Sequence, residues 1–597
     1  MNRINFLPPW VETNLQPAFY DTESGTVLQQ TARMYAKVNQ LIRNVNDQNE
    51  TIDLYIAKFI ELHDYVHDYF DNLDVQEEIN NKLDQMAEDG TLQEIITQYI
   101  QANVAWTFDT VADMKSATNL IAGSYARTLG FHSLNDGGGA IYKISDSGTV
   151  NEMDVIAVGA LYANLIRPEV ANPVMLGAYC DGTHDDTDSI QRAVDLYKEV
   201  DLIGKSYLTT EAVLITASNL HIYNGTIHTT TEDKVFEFQG SVDRVKINHI
   251  TCTGEPTVDT VQYFIGWHND ASNNITNCEF SYNDISDMNA GISLNADFEG
   301  TFKNILISYN KIHHMVGGTP GHGYGIHCAE GHNNPLNVQV IGNEIYDCGR
   351  HCLYFGRGNG YYASNNYIHD NVDFVEPSGY RAAVNFSRSK NITFENNRIA
   401  DCLNGYIFFS SELQPTSDYP LESYPCENIN IVNNIFEGNT NMSTICCGYA
   451  DADKAHAKNI NILNNKFIDT GYIGIYACEN VKIDRNCFDP AQDYCIILYG
   501  GNYQTESVYT HNIYITNNIL NKNGLHRPIR LQTLVTDNDA YILFENNITN
   551  FEKFIITQSN VKNNKIQIVN QAWANDFTFT APATFMPYTV NGVDVTA

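Results

Sequence analysis

Asn428-Ile429-Asn430-Ile431-Val432-Asn433-Asn434-Ile435-Phe436 is one copy of a phrase that recurs through the second half of the chain. Variants run from Asn273 to Phe280, Asn304 to Ile312, Asn337 to Ile345, Tyr362 to Ile368, Asn391 to Ile399, Asn459 to Phe467, Asn480 to Phe488, Asn512 to Ile519, Tyr541 to Ile548 and Asn560 to Ile566. Marking the second asparagine-type position of each copy gives Cys278, Asn310, Asn343, Asn366, Asn397, Asn434, Asn465, Asn486, Asn518, Asn547 and Asn564, at intervals of 17 to 37 residues. The Ile-x-Ile alternation makes a strand with one inward face, asparagine tolerates the left-handed backbone of a corner, and the next apolar residue opens another strand. Coils stacked about 4.8 Å apart then lay Asn on Asn and Ile on Ile, and amide ladders satisfy the polar groups of the buried turns. The leucine spacing of leucine-rich repeats and the Trp-Asp signature of propellers are absent. The expected fold is mainly β, a right-handed parallel β-helix over 174–570.

Composition narrows the function classes. The 597 residues carry 35 Lys+Arg against 71 Asp+Glu, a formal charge of −36, which repels phosphate backbones and anionic lipid. Neither nucleic acid nor membrane is expected as a partner, and no segment has 18 uninterrupted apolar residues. The first residues show no basic region followed by an apolar stretch, so no signal peptide is expected and synthesis is read as cytoplasmic. Thirteen cysteines, an odd number without the dense spacing of a small secreted scaffold, read as reduced core residues. Cys278, Cys328, Cys348, Cys352, Cys402, Cys478, Cys487 and Cys495 fall at or beside inward positions of the repeat.

Upstream, apolar residues return every seventh place: Val38, Val45, Ile52, Phe59, Val66 and Leu73 in one row, Leu41, Tyr55, Leu62 and Tyr69 in the other, with Gln48 interrupting the second. Such a seam calls for partner helices, and its aromatic inner positions suit three strands, so a homotrimeric coiled coil is expected, the alternative being one amphipathic helix lying on its own domain. Asp74 to Ile100 reads as two short helices broken at Asp89-Gly90, with Thr91 capping the second. This segment is similar to the neck that follows the coiled coil in tail appendage proteins of phages infecting Gram-positive bacteria. Phe108 to Met114, Ala126 to Ser133 and Asn135 to Lys143 together are similar to the small head domain preceding the β-helix in many phage tail spikes. Within it, Gly137 to Gly139 form a sharp turn feeding a strand from Ala140 to Ile144. No helix start and no Lys-Ser/Thr follow, which disfavours a phosphate cradle.

Asp181-Gly-Thr-His-Asp-Asp-Thr-Asp-Ser-Ile-Gln-Arg-Ala-Val-Asp195 resembles the DGxxDDTxAIQxAID opening of the pectate-lyase-like superfamily. Its physical content is an acidic helix start and a helix with Ile190, Ala193, Val194 and Tyr197 on one face, placed to cover the end of a β-helix. Capping accounts for Asp181, Asp185, Asp186 and Asp188 better than calcium does. The carboxylate trio by which pectate lyases bind that ion has no convincing match, and His313-His314 and His351 have no ligand spacing that forces a metal. No metal and no cofactor are expected.

Aligning the strand after each corner places Ser293, His327, Tyr354, Asn385, Phe408 and Tyr476 in one outward column. Three residues on come Ala296, Glu330, Arg357, Arg388, Ser411 and Glu479. Aromatic rings with arginine and a carboxylate suit sugar, because ring faces stack on sugar faces while planar polar groups hold hydroxyls and acidic substituents; a plain surface ladder of salt bridges is the equal alternative. Long loops join these strands, 315–334 with His322 and His332, and 370–388 with Asp373, Glu376 and Arg381. Hydrolysis would use two carboxylates among Glu330, Asp373 and Glu376, with Asp347 and Asp370 behind them. Elimination from a uronic acid would use His327 or Tyr354 as base, with Arg357 and Arg388 neutralising the sugar carboxylate. The expected substrate contacts are Tyr354, Arg357, Asn385, Arg388, Phe408 and Tyr476.

The resemblances imply a phage tail spike or tail appendage located on the virion. Residues 1–104 would attach it to tail or baseplate proteins, 105–173 would be the head domain, 174–570 the β-helix and 571–597 a short β cap. It would bind a host cell-surface glycan and depolymerise it as hydrolase or lyase. A non-catalytic adhesin or structural appendage is the alternative, and a free bacterial polysaccharide lyase or epimerase a second.

Overall fold

The computed structural model describes residues 58, 60–62, 76–95, 99, 105–257 and, with interruptions at several loops, 260–595. The heptad rows, apart from Leu62, lie outside the described residues. Two compact units separate at residues 166 and 167.

In the first unit, the helix Gln76–Glu88 ends at Asp89-Gly90, where Gly90 has φ 81°, and helical backbone resumes at Thr91. Asp89 rather than Thr91 supplies the capping oxygen, accepting from the Thr91 N–H at 2.9 Å. Downstream lies a five-stranded sheet in which Ala105–Phe108 runs parallel to Tyr125–Thr128, and Ile141–Ser145, Leu161–Leu165 and Val155–Val158 follow antiparallel. Gly137 turns at φ 102° before the strand, as its sequence requires. Asp136 beside it accepts backbone N–H bonds from Phe131, His132, Ser133 and Gly138. Burial by itself would raise this carboxyl, yet the N–H bonds outweigh it and hold it below the usual range.

The second unit is a parallel β-helix. One leg of the coils forms a thirteen-stranded sheet, including Ala290–Ala296, Tyr324–Glu330, His351–Gly356, Val384–Ser387, Ile407–Ser410, Ile445–Cys447, Ile473–Tyr476, Ile496–Tyr499, Ile529–Gln532 and Ile555–Thr557 in that order. The other two legs stack equally in register, as in Asn359–Ser364 on Lys390–Glu395 on Glu427–Val432, and Tyr367–His369 on Arg398–Ala400 on Ile435–Glu437. Inward isoleucine lies on inward isoleucine, and Phe436, Phe467 and Phe488 stack with centroids 4.9 and 4.5 Å apart.

Each asparagine of the repeated phrase has its own task. The first, as in Asn391, Asn428, Asn459, Asn480 and Asn512, turns a corner at φ 51–58° and donates its side-chain N–H to the preceding coil at 2.6–3.0 Å. The next, as in Asn396, Asn433 and Asn464, also adopts positive φ. The third is buried and forms a continuous ladder: Asn283, Asn310, Asn343, Asn366, Asn397, Asn434, Asn465, Asn486, Asn518 and Asn547. The marker Cys278 is thereby corrected to Asn283, since Glu279 pairs with Leu306 and sets Cys278 beside Ile305, among strand starts. Asn564 lies outside the described residues. Of the thirteen cysteines all are free, and all but Cys180 and Cys487 are buried.

The helix Thr187–Leu196 buries Ile190, Ala193 and Val194 over the first coil. Asp185, not the N-cap Asp186, accepts from Thr187 N at 3.0 Å, while Asp186 holds the Tyr179 N–H at 2.6 Å. Gln191 pairs its amide with both backbone groups of Leu214, on the first strand of the thirteen-stranded sheet, at 2.6 and 3.1 Å. A side chain thus completes an edge that would otherwise present unpaired groups. Farther along, Tyr588–Val590 and Val593–Val595 form an antiparallel pair.

Candidate functional site

The outward column on the thirteen-stranded sheet is Ser293, His327, Tyr354, Asn385 and Phe408, each paired directly with the next. It continues as Cys446, Gly474, Ile497 and Arg530. Tyr476 is therefore corrected by two residues: Gly474 takes the column and Tyr476 stands beside it, paired with Tyr499. Matching aromatic to aromatic misled the alignment, because the inward residues Ile407, Ile445 and Ile473 fix the register. Tyr476 nevertheless packs against the column, on the buried cluster of Ala382, Phe408 and Cys446.

In the second row, Ala296 pairs with Glu330, and Ala329 with Gly356, so Glu330 and Arg357 are neighbouring rungs. Arg357 and Arg388 follow as the next rungs, their N–H groups each donating 2.7 Å bonds to Ser387 and Ser410 of the adjoining coils. Both occupy left-handed backbone, φ 47° and 55°, which ends the strand and turns the chain. Glu479 does not belong here. It begins a strand of another leg, between Lys458 and His511, and its carboxylate lies 3.6 Å from Lys458. Asp373, Glu376, Arg381 and His332 lie outside the described residues, and Glu330 ends its strand in register with Ala296.

Around His327 the structure gathers residues that the column reading missed. Tyr324 stacks on His327 with centroids 4.6 Å apart, Tyr354 meets His327 edge-on at 5.0 Å, and His351 lies 5.7 Å from both tyrosines. The Arg350 guanidinium sits 5.3 Å over the Tyr324 ring, a cation–π contact. Strand parity would send Tyr324 and His327 to opposite faces, but coils here enter this sheet with two successive inward residues, as in Cys352-Leu353 and Ala383-Val384, all fully buried. The shared aromatic-x-x-aromatic spacing of Tyr324/His327 and His351/Tyr354 was the available signal.

Hydrogen bonds fix these rings. His351 Nδ1 lies 2.6 Å from the Ala382 carbonyl, so it carries the proton, and Nε2 faces the Asn385 amide at 3.4 Å. Ser410 donates to the other end of Asn385 at 3.3 Å, and Asn385 is buried, which makes it a positioning residue more than a sugar contact. Phe408 is also buried and forms floor. His327 Nδ1 is 3.2 Å from Ser293 Oγ. Desolvation, with the charges of Arg350 and Arg357 adding to it, pushes His327 down to about 3 and leaves its imidazole neutral across the physiological range.

Charge is distributed unlike the rest of the chain. Across the eight strands from His351–Gly356 to Ile555–Thr557 there is no aspartate or glutamate, while Arg530 lies within them and Arg350, Arg357 and Arg388 flank them. With 71 acids against 35 bases overall, a run of strands free of acids and bordered by arginines departs from the chain's average. Among the described residues no group of three His, Cys, Asp or Glu is arranged to hold a metal ion, and no helix is long and apolar enough to cross a membrane.

Comparison with known proteins gives the following. No curated protein matches the sequence. Among solved structures, the chain is similar to the catalytic unit of a GH87 alpha-1,3-glucanase from Streptomyces thermodiastaticus, at 13% identity over 69% of this chain and 73% of that one, with TM-score 0.45. It is similar to the tailspike protein of Acinetobacter baumannii phage AM24, at 13% identity over 60% of this chain and 65% of that one, TM-score 0.38. It is also similar to the A-module of the mannuronan C-5 epimerase AlgE6 of Azotobacter vinelandii, at 14% identity over 68% and 99% of the two chains, TM-score 0.43. Residues 290–477, the coils that carry His327, Tyr354, Arg357 and Arg388, match the family model described as "Right handed beta helix region", and the observed ladder is that fold.

Proposed function

We propose that this chain is a phage tail spike that binds an acidic cell-surface polysaccharide on the thirteen-stranded face and cleaves it by β-elimination. The observation that carries the reading is a neutral imidazole, His327, in contact with Tyr354 and bordered by Arg350 and Arg357. Arginine guanidinium groups pair with a uronate carboxylate, which acidifies the neighbouring C5–H and stabilises the carbanion-like transition state. His327 takes the C5 proton; the electron pair forms the C4=C5 bond; the bond from C4 to the glycosidic oxygen breaks; and Tyr354 protonates the departing oxygen. Solvent then returns the proton from His327 and restores Tyr354.

In the same reading residues 1–104 attach the protein to the tail as a homotrimer, 105–173 form the head domain and 571–597 close the β-helix. The protein then acts from the virion on the bacterial surface.

The test is incubation with acidic bacterial polysaccharides, following ultraviolet absorbance of the new C4=C5 bond together with reducing ends. Wild-type protein is expected to raise both, and His327→Ala and Tyr354→Phe to lower both by about a hundredfold or more. New reducing ends without unsaturated sugar would assign hydrolysis and overturn the mechanism. Binding without shorter products would leave an adhesin.

A further inference from the structure

Five strands farther along the same sheet face is a second group of outward side chains that the reaction does not use. Tyr476 and Tyr499 stack with centroids 4.1 Å apart and planes 5° apart. Tyr472 joins them: burial first, then hydrogen bonding to Tyr499, pushes its hydroxyl above the ordinary tyrosine range. Gly474 makes this possible, since a Cβ there would come within 2.9 Å of the Tyr476 ring and 3.4 Å of Tyr472. The next coil adds Arg530, which occupies the same column as His327 and lies 5.2 Å over the Tyr494 ring. All five side chains are partly exposed.

We infer that this group is a distal subsite for the same anionic glycan, so that the polymer lies along the β-helix axis and spans from the His327 cluster to Tyr476, Tyr499 and Arg530. The inference rests on the proposed function of the His327 face and deepens it.

Three observations support this occupant over any other. Arg530 lies in the register column of His327 and Tyr354, and Tyr476 and Tyr499 stand two residues beside that column on the same face, so a straight ligand passes both groups. Four strand steps separate Tyr354 from the Tyr476 rung, about 19 Å at the spacing of paired strands, a length covered by an oligosaccharide of several residues but not by a disaccharide. Between them lies a floor of Phe408, Ala382 and Cys446, which among the described residues places no carboxylate under the polyanion. Arg530 supplies a cation at the far end, and the tyrosine pair presents hydroxyls and ring edges to sugar.

The experiment uses the full-length protein and an array of purified bacterial capsular polysaccharides, acidic and neutral. From the best acidic binder, a disaccharide and an octasaccharide are prepared as probes for calorimetry. Tyr476→Ala, Tyr499→Ala and Arg530→Gln are each expected to weaken octasaccharide binding about tenfold, equivalent to about 1.4 kcal/mol, and to leave the disaccharide unchanged. Gly474→Ala, which keeps every tyrosine but displaces the Tyr476 ring, should act in the same direction with an unchanged unfolding midpoint. Arg357→Gln should weaken both probes. Octasaccharide affinity unchanged in the distal variants, with Arg357→Gln still defective, would overturn the distal subsite and leave the proposed function standing. Array binders that are all neutral, or an Arg357→Gln protein that binds normally, would overturn both.

Discussion

Asn434→Ala removes one rung from the buried ladder, and its cost follows from the bonds that rung makes. The Asn434 side chain donates to the Phe394 carbonyl at 2.9 Å and to Asn465 Oδ1 at 3.0 Å. Its own Oδ1 accepts from the Asn397 backbone N–H at 2.9 Å and from the Asn397 side chain at 3.1 Å. Truncation leaves the Asn397 N–H without that acceptor in the interior and takes a donor from Phe394. Asn397 Nδ2 keeps the Ala363 carbonyl at 3.0 Å, and Asn465 Oδ1 keeps the Asn434 N–H at 2.8 Å. Two impaired buried groups at about 1–3 kcal/mol each predict a loss of about 2–6 kcal/mol. The control is Asn428→Gly, which deletes an exposed rung whose side chain donates to Asn391 at 2.9 Å while tolerating φ 57°. It should cost about 1 kcal/mol or less, since water replaces the lost bonds. Urea unfolding followed by circular dichroism compares them. Equal losses in the two variants would refute the view that the internal amide column, rather than the surface one, holds successive coils in register.

Three further outcomes follow from the same geometry. Gln191→Ala should expose the Leu214 backbone, increasing hydrogen exchange of that amide and costing about 1–2 kcal/mol; unchanged exchange would mean that the Gln191 amide does not seal the edge. Because His327 is held at about 3, below the value of about 6.5 for an unfolded histidine, the unfolded chain binds the proton first as pH falls. Stability therefore declines from about 6.5 toward 3, whereas the catalytic acid limb should lie near 3, and a limb near 6.5 assigned to His327 would contradict its desolvated, neutral setting. Asp136, lowered in the folded head domain, stabilises above the unfolded carboxylate value, and that contribution is lost as pH falls through the folded one. In Asp136→Asn the acid-side decline of head-domain stability should flatten; an unaltered pH profile would remove Asp136 from the account.

The solenoid was legible because its determinants are local and repeated: an alternating strand, two asparagines at positive φ and one asparagine turned inward. The first copy misled, since Asn273 to Phe280 has the apolar rhythm, but the ladder begins only at Asn283, after Tyr282 has taken the corner position at φ 56°. Cross-coil register was legible where adjacent coils are similar, which placed His327, Tyr354, Asn385 and Phe408 together and set Arg357 beside Arg388. It failed at Tyr476 and Glu479, because chemical similarity was matched in place of inward isoleucines. Tyr324, Arg350 and His351 escaped because two consecutive inward residues break the period-two rule at the entry to this sheet. Burial of Asn385 and Phe408 is a property of neighbouring coils, which no single strand reveals.

The most direct measurement is a crystal structure of the His327→Ala protein with an acidic oligosaccharide cut from the polysaccharide it binds. The account predicts a sugar chain along the thirteen-stranded face, with a uronate carboxylate within hydrogen-bonding distance of Arg357 or Arg388 and its C5 facing the space left by the imidazole. An oligosaccharide seated on another leg of the β-helix, with this face bare, would contradict it.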